Sequence, residues 1–389
     1  MSAPRSLTGL TGLTGLTGLR RLARSVAVAA LAVSVIGCTA VSPTASPSPG
    51  STFVAPSLAT PSAEPTPTPT LAPSATPIVD VAASLDGVMV SAELADRLPL
   101  AIMIDDNVVA RPQAGFNAAS IVYQAPADGG EDRYMLVFQE GDAATVGPVR
   151  SGRPYFVRWA MEYDAAFGHY GGDAKTLGYI PQVNGSGIFD MDALSGAGSA
   201  FHRISSRSAP HNAYTDTATY RRVAEQRGAA ATVADLPTRP FVDDMPLVDR
   251  PASASITIPY GRGATGYVYD RASNAYLRSV AGRPQIDAAD GQRVTARDVV
   301  VLFMRLTIDP ASEAGYHRPV LAQIGSGRAL VFREGHVWVG TWRKDDARGL
   351  TRFFDADGKE VALVRGRIFV QIVSTGTTVK YVAVPGTGS

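Results

Sequence analysis

Cysteine is nearly missing from this chain: 389 residues carry one, Cys38. A single cysteine excludes an internal disulfide and any cysteine-rich metal site. Histidine is scarce too, at five. There is no HExxH, no paired-cysteine motif and no His/Asp ladder, so a metal would need His169, Asp173 and His211 to converge from separate loops. No metal and no cofactor are expected. No GxSxG, P-loop or Ser-x-x-Lys context stands out either. Charge of one sign is also lacking, with a formal net charge of +1. The first 37 residues hold Arg5, Arg20, Arg21 and Arg24 and no acid, which leaves 32 basic against 35 acidic residues in the rest, or −3. That balance excludes nucleic-acid binding driven by bulk charge.

What is present begins with a targeting segment. Residues 6–19 repeat Leu-Thr-Gly with no helical or strand period and read as low complexity. Arg20, Arg21 and Arg24 form a positive n-region, and SVAVAALAVSVI at 25–36 is an apolar run of signal-peptide length. Val35-Ile36-Gly37-Cys38 then resembles the bacterial lipoprotein box. That resemblance implies a diacylglycerol on the Cys38 sulfur, cleavage after residue 37, and a chain anchored to the extracytoplasmic face of the cell membrane rather than spanning it. An ordinary signal peptide or membrane anchor with a chance cysteine is the alternative. Residues 38–80 read as the lipidated cysteine and a Pro/Ser/Thr linker with PTPTPT at its centre. Such a tract favours extended polyproline II, and at ~3.1 Å per residue it reaches on the order of 100 Å.

Ordered structure is expected from about residue 85. Residues 100–104, 121–125 and 134–138 read as buried strands. Pro154 suits a first helical turn, and Tyr155, Trp159 and Tyr163, four apart, suit one helix face. A strand at 165–169 and a helix at 217–227 closed by Gly228 follow. Strands alternate with helices, so 85–235 is expected to be an α/β or α+β domain. The proline-rich 236–252 reads as a connector. Residues 253–389 carry short apolar runs separated by turn pairs such as Asp290-Gly291 and Asp357-Gly358, which predicts a mainly antiparallel β domain.

Several motifs invite functional readings. GPVRSGRPYF places Arg150 and Arg153 at a helix start, where free N–H groups and guanidinium forks favour an anion. The same arginines could instead pair with Asp105, Asp106, Glu131 or Asp164 and brace the domain. His169 and His211 lie in Gly/Pro-rich loops. Arg111, Arg150, Arg153, His169, His211 and Asn212 are the candidate ligand-binding set. His169, Asp173, His211 and Asp105 are the candidate catalytic set, through general acid–base chemistry. Hydrogen bonding to loop backbone is the plainer role for the histidines. GRGATG at 261–266 matches a dinucleotide fingerprint but joins two strand runs and opens no helix. DADGKE at 355–360 lacks a third acidic or amide ligand and a closing glutamate, so it reads as a hairpin turn rather than a calcium loop. Trp338 and Trp342, four apart, share one side of a strand, as core or as a sugar platform.

The order LAIMIDDNVVARPQAGFNAASIVYQAPADGG, GPVRSGRPYF, EYDAAFGHYGG, RSAPHNAYT, then Tyr276-Leu277-Arg278, GSGRALVFREGHVWVGTW and RFFDADGKEVAL resembles the YerB-like lipoproteins, the DUF3048 family. The resemblance spans roughly residues 95–385. It implies an N-terminal domain with a β-rich C-terminal partner and an envelope location, and it implies no reaction. One departure is RIFVQIV at 367–373, where a tryptophan-containing strand is expected. The expectation is a lipid-anchored envelope module that binds an anionic ligand, a cell-wall polymer or an envelope protein through the Arg/His loops. An enzyme acting on cell-wall material is the alternative.

Overall fold

The computed structural model describes residues 80–261 and 263–387. Cys38, the apolar leader and the linker fall outside the described residues. Among those described, no helix is long and apolar enough to cross a membrane.

After a short hairpin of Val81–Ala82 with Met89–Val90, the first long strands are β1 (Leu100–Asp105), β2 (Ile121–Pro126) and β3 (Asp132–Phe138), buried almost throughout. Apolar side chains on both sides of a strand require cover on both faces. α1 (Pro154–Ala160) starts on its proline and continues as a 3-10 turn, Met161–Tyr163. The four-residue spacing buries Tyr155, Trp159 and Tyr163 together. β4 (Ala166–His169), α2 (Ala174–Val183), β5 (Phe189–Asp192) and α3 (Thr217–Gln226) follow. Asp173 and Asp216 cap α2 and α3, accepting the N–H groups of Thr176 and Thr219 at 2.8 and 2.7 Å.

The second half supplies β6 (Ser255–Ile258), β7 (Thr265–Asp270), β8 (Ala275–Val280), β9 (Asp298–Met304), β10 (Gly325–Arg333), β11 (His336–Lys344), β12 (Arg352–Phe354), β13 (Ile368–Ser374) and β14 (Lys380–Val382). Most pair antiparallel, as their close spacing predicts. β13 does not: it lies parallel to β9 on one side and to β2 on the other. The large sheet therefore runs β12-β11-β10-β9-β13-β2-β3-β1-β4-β5, with Val384–Pro385 as an eleventh strand beside β11. The two halves meet inside this one sheet, where Ile121–Gln124 pair with Ile368–Gln371.

Alternation along β13 shows how the faces are covered. Phe369 and Val373 point toward the smaller sheet, β8-β7-β6-β14, and join Ile256, Tyr267 and Tyr276. Val370 and Ile372 join the opposite core with Trp159 of α1, Trp338 and Trp342. The two tryptophans are 6% and 2% exposed, so they are core and offer no aromatic platform. GRGATG joins the antiparallel pair β6 and β7, and DADGKE forms the turn that lets Phe354 bridge to Glu360.

A buried ionic cluster ties the halves on the α1 side. Glu162 and Lys344 are both fully buried, with Lys344 Nζ 2.9 Å from Glu162 Oε1. Thr351 donates to Glu162 through its backbone N–H at 3.1 Å and its hydroxyl at 2.6 Å. Arg239 lies 3.6 Å away.

Candidate functional site

The stretch 147–150 assembles the site. It runs between the end of β1 and the segment at 213–214: the Asp105 N–H donates to the Pro148 carbonyl, the Arg150 N–H to Met103, and the Val149 N–H to Ala213. Gly147 sits at φ 153°, and a Cβ there would lie 2.6 Å from the Tyr214 ring and 2.9 Å from the Ala213 carbonyl. Only glycine admits that close approach. The result sets Arg150 beside Asp105 and brings the loop carrying His211 onto the same carboxylate.

Asp105 is the hub. His211 Nδ1 lies 2.6 Å from its Oδ2, and the Asn107 N–H donates to its Oδ1 at 3.0 Å. Arg150 Nε stands 3.4 Å from Oδ2 without forming a hydrogen bond. On its other side Arg150 lines a cavity of 350 Å³ with Asp128, Gly129, Glu131, Arg133, Ala314, Gly315 and Tyr316. The loop carrying Tyr316 folds over the 128–130 turn, where the Gly129 N–H donates to the Tyr316 carbonyl at 2.6 Å.

The neighbouring arginines are committed to the protein. Arg153 forks onto Asp128 through Nε and Nη2, and its Nε is 3.4 Å from Asp173. Arg133 donates to the Ser151 carbonyl at 3.0 Å and lies 3.7 Å from Asp128. Burial, with repulsion from Arg153 and Arg150, lowers the Arg133 guanidinium to about 10 despite Asp128. Burial would raise the Asp128 carboxyl, but the Arg153 hydrogen bonds and the charges of Arg133, Arg153 and Arg318 outweigh it and hold the group below the usual carboxylate range. Arg111 forks onto Asp106 at 3.0 and 2.8 Å. Asn212 accepts from Arg203 and donates to the Ile204 and Arg207 carbonyls, which fixes its own loop.

The candidate residues are thus only partly gathered. Asp105, Arg150 and His211 meet. His169 is fully buried, its ring tilted against Phe167, with Nδ1 2.8 Å from the Gly171 carbonyl and Nε2 2.9 Å from Asp190. It reaches neither the cavity nor His211. Asp173 caps α2 and pairs with Arg153, and makes no histidine contact among the described residues. No group of three or more His, Cys, Asp or Glu is placed to hold a metal among the described residues. Asp128, Arg133 and Tyr316 escaped the sequence reading of the site. Arg133 hides in the apolar run DRYMLVF, and nothing local marks Tyr316 as a neighbour of residue 129.

A mixed sheet with helices on one half and a β-rich second half, built around an arginine-lined loop cavity, defines a two-part α+β protein without a recognised catalytic motif. The chain belongs to the DUF3048 family, a protein family of unknown function: its N-terminal domain matches residues 85–230 and its C-terminal domain residues 256–370. A Bacillus subtilis (strain 168) protein named "Putative lipoprotein YerB" is 28% identical over 305 residues, covering 75% of this chain and 86% of that protein. The crystal structure of the YerB protein from Bacillus subtilis superposes with a TM-score of 0.67 at 26% identity, covering 77% of this chain and 99% of that one.

Proposed function

We propose that this protein is a lipoprotein held at the extracytoplasmic face of the membrane through Cys38, whose cavity beside Arg150 binds an anionic group of an envelope ligand, a cell-wall polymer or a partner protein. The lipobox order and the lipoprotein naming of its relative support the location. One observation carries the binding role. Arg150 makes no guanidinium hydrogen bond to any described residue, while Arg111, Arg133 and Arg153 all do. A guanidinium at a cavity wall with its fork unused suits a carboxylate or phosphate.

Calorimetric titration of the full chain with inorganic phosphate and with soluble cell-wall fragments tests this. Arg150→Ala is expected to weaken binding about tenfold, the worth of one charge-assisted hydrogen bond. It should leave the melting temperature nearly unchanged. Arg153→Ala is expected to lower the melting temperature by ~5 °C, because Asp128 and Asp173 lose their partner in a buried setting. Unchanged affinity in Arg150→Ala defeats the proposal.

The contact between His211 and Asp105 favours a second reading, an enzyme acting on wall material. A buried carboxylate on Nδ1 orients the ring and leaves Nε2 to accept a proton from water. His211→Ala is then expected to abolish turnover of purified wall fragments. Equal turnover by wild type and variant removes His211 from any mechanism.

A further inference from the structure

A second cleft, of 650 Å³, lies between the turn Val108–Ala110 of the first half and the hairpin that follows β8 in the second. Val108 and Pro112 line one wall, and Val280, Pro284 and Ile286 the other. Both walls are fixed by the fold. Asn107 caps the turn, and Arg111 and Gln113 donate to Asp106. On the second wall Val280 pairs with Arg283 around the two-residue turn Ala281-Gly282, whose φ values of 49° and 74° suit the twist of a tight hairpin. The Ala288 N–H donates to the Gln113 carbonyl at 2.9 Å, and Asp287 accepts the Gly115 and Asn117 N–H groups at 2.8 and 2.7 Å. These bonds join the two walls, so the cleft is formed before any ligand arrives.

The lining is apolar except for two arginines and two glutamines, and it holds no carboxylate. Two of these four side chains are committed to the protein. Arg111 forks onto Asp106, and Gln113 donates to Asp106 and to the Asp105 carbonyl. The other two are not. Arg283 is exposed, and its side chain makes no ion pair or hydrogen bond among the described residues. Gln285 is 8% exposed, and its Oε1 is buried without a hydrogen-bond partner. A buried amide oxygen left empty costs free energy, and such groups are rare in folded chains. A ligand N–H would supply the missing bond.

The chemistry of the ligand follows from these groups. The Gln285 amide offers one acceptor and one donor face, and a peptide group matches both. A fatty acid has apolar length and a carboxylate but no N–H for Oε1. Arg283, with no acid in the cleft to neutralise it, favours a carboxylate. Val108 and Ile286, 61% and 40% exposed, leave apolar surface for aliphatic side chains. The volume falls within that of ligand pockets, of order 300–1,000 Å³. We propose that the cleft binds an extended peptide segment of a partner protein, apolar and carrying one carboxylate, its backbone on the Gln285 amide and its carboxylate on Arg283. The cleft shares no lining residue with the cavity beside Arg150 and does not depend on that reading.

Calorimetric titration of the full chain tests this with three probes. They are a pentapeptide of alternating leucine and alanine ending in aspartate and blocked at both termini, the same peptide ending in asparagine, and decanoate. The aspartate peptide is expected to bind about tenfold more tightly than the asparagine one, the worth of a charge-assisted contact. Arg283→Ala should erase that preference and leave the asparagine peptide unchanged. Gln285→Leu should weaken both peptides about fivefold, and its melting temperature should equal or exceed that of wild type, since the amide it removes has no partner in the fold. A Gln285→Leu variant that melts well below wild type yet binds both peptides unchanged would make the amide structural and overturn the site. Decanoate binding with neither peptide bound would assign the cleft to a lipid instead. Peptide binding indifferent to both substitutions would place it elsewhere, and no binding by any probe also defeats the proposal.

Discussion

Replacing Glu162 by alanine should cost this protein about 3–5 kcal/mol, the range found when one partner of a buried ion pair is removed. Lys344 would stay fully buried, keeping only the Gly349 carbonyl as a hydrogen-bond acceptor. The Thr351 N–H and hydroxyl would lose their acceptor, and Arg239 its nearby charge. An unpaired charge in that position costs more than the lost attraction, because its desolvation is no longer offset. Chemical denaturation should show a lower midpoint with an unchanged slope. The double variant Glu162→Leu with Lys344→Met should recover much of the loss, since it removes both charges together. A Glu162→Ala variant as stable as wild type would mean that water or rearrangement satisfies Lys344.

Raising the pH from about 4 to about 9 should weaken the fold through Asp86, and Asp86→Asn should remove most of that loss. Burial, then repulsion from Glu140, raises the Asp86 carboxyl to about 8, although the Val88 N–H and the Arg367 charge act the other way. The unfolded chain releases this proton near the ordinary value of 3.8. Between these limits the native state binds more protons than the unfolded one, so stability falls as pH rises and levels off above the folded value. The effect at pH 9 is of order a few kcal/mol. Melting temperatures across pH should show wild type and Asp86→Asn close at pH 4, with the variant higher at pH 9. Parallel curves would refute the assignment.

The strands were legible because their apolar runs are local. Residues 100–104 and 121–125 each fall within an observed strand, and 217–227 gives a helix ending one residue earlier. α2 was not legible: Gly178 and Pro181 inside it interrupt the helical pattern, and only the Asp173 cap signals its start. Nor was the pairing of β13 with β2. Periodicity tells which face a side chain takes, not which distant strand it will meet. The site shows the same limit. Asp105, at the end of β1, and His211, in its loop, could be nominated from sequence, but their contact depends on the 147–150 crossing. His169 carried the same outward cues as His211 and proved to be an internal histidine satisfied by Gly171 and Asp190.

The placement of β13 bears on how the chain reaches its folded state. β2 pairs with β3 on one edge, but on the other it finds its neighbour only in a segment almost 250 positions later, Ile121 pairing with Ile368. A chain emerging N-terminus first would therefore hold the inner edge of its first half open until residues 368–371 arrive. Open, apolar strand edges recruit other strands, and contacts this distant in sequence close slowly. The nascent first half is thus a natural client for chaperones, and truncation before residue 368 should yield aggregates rather than a smaller soluble protein.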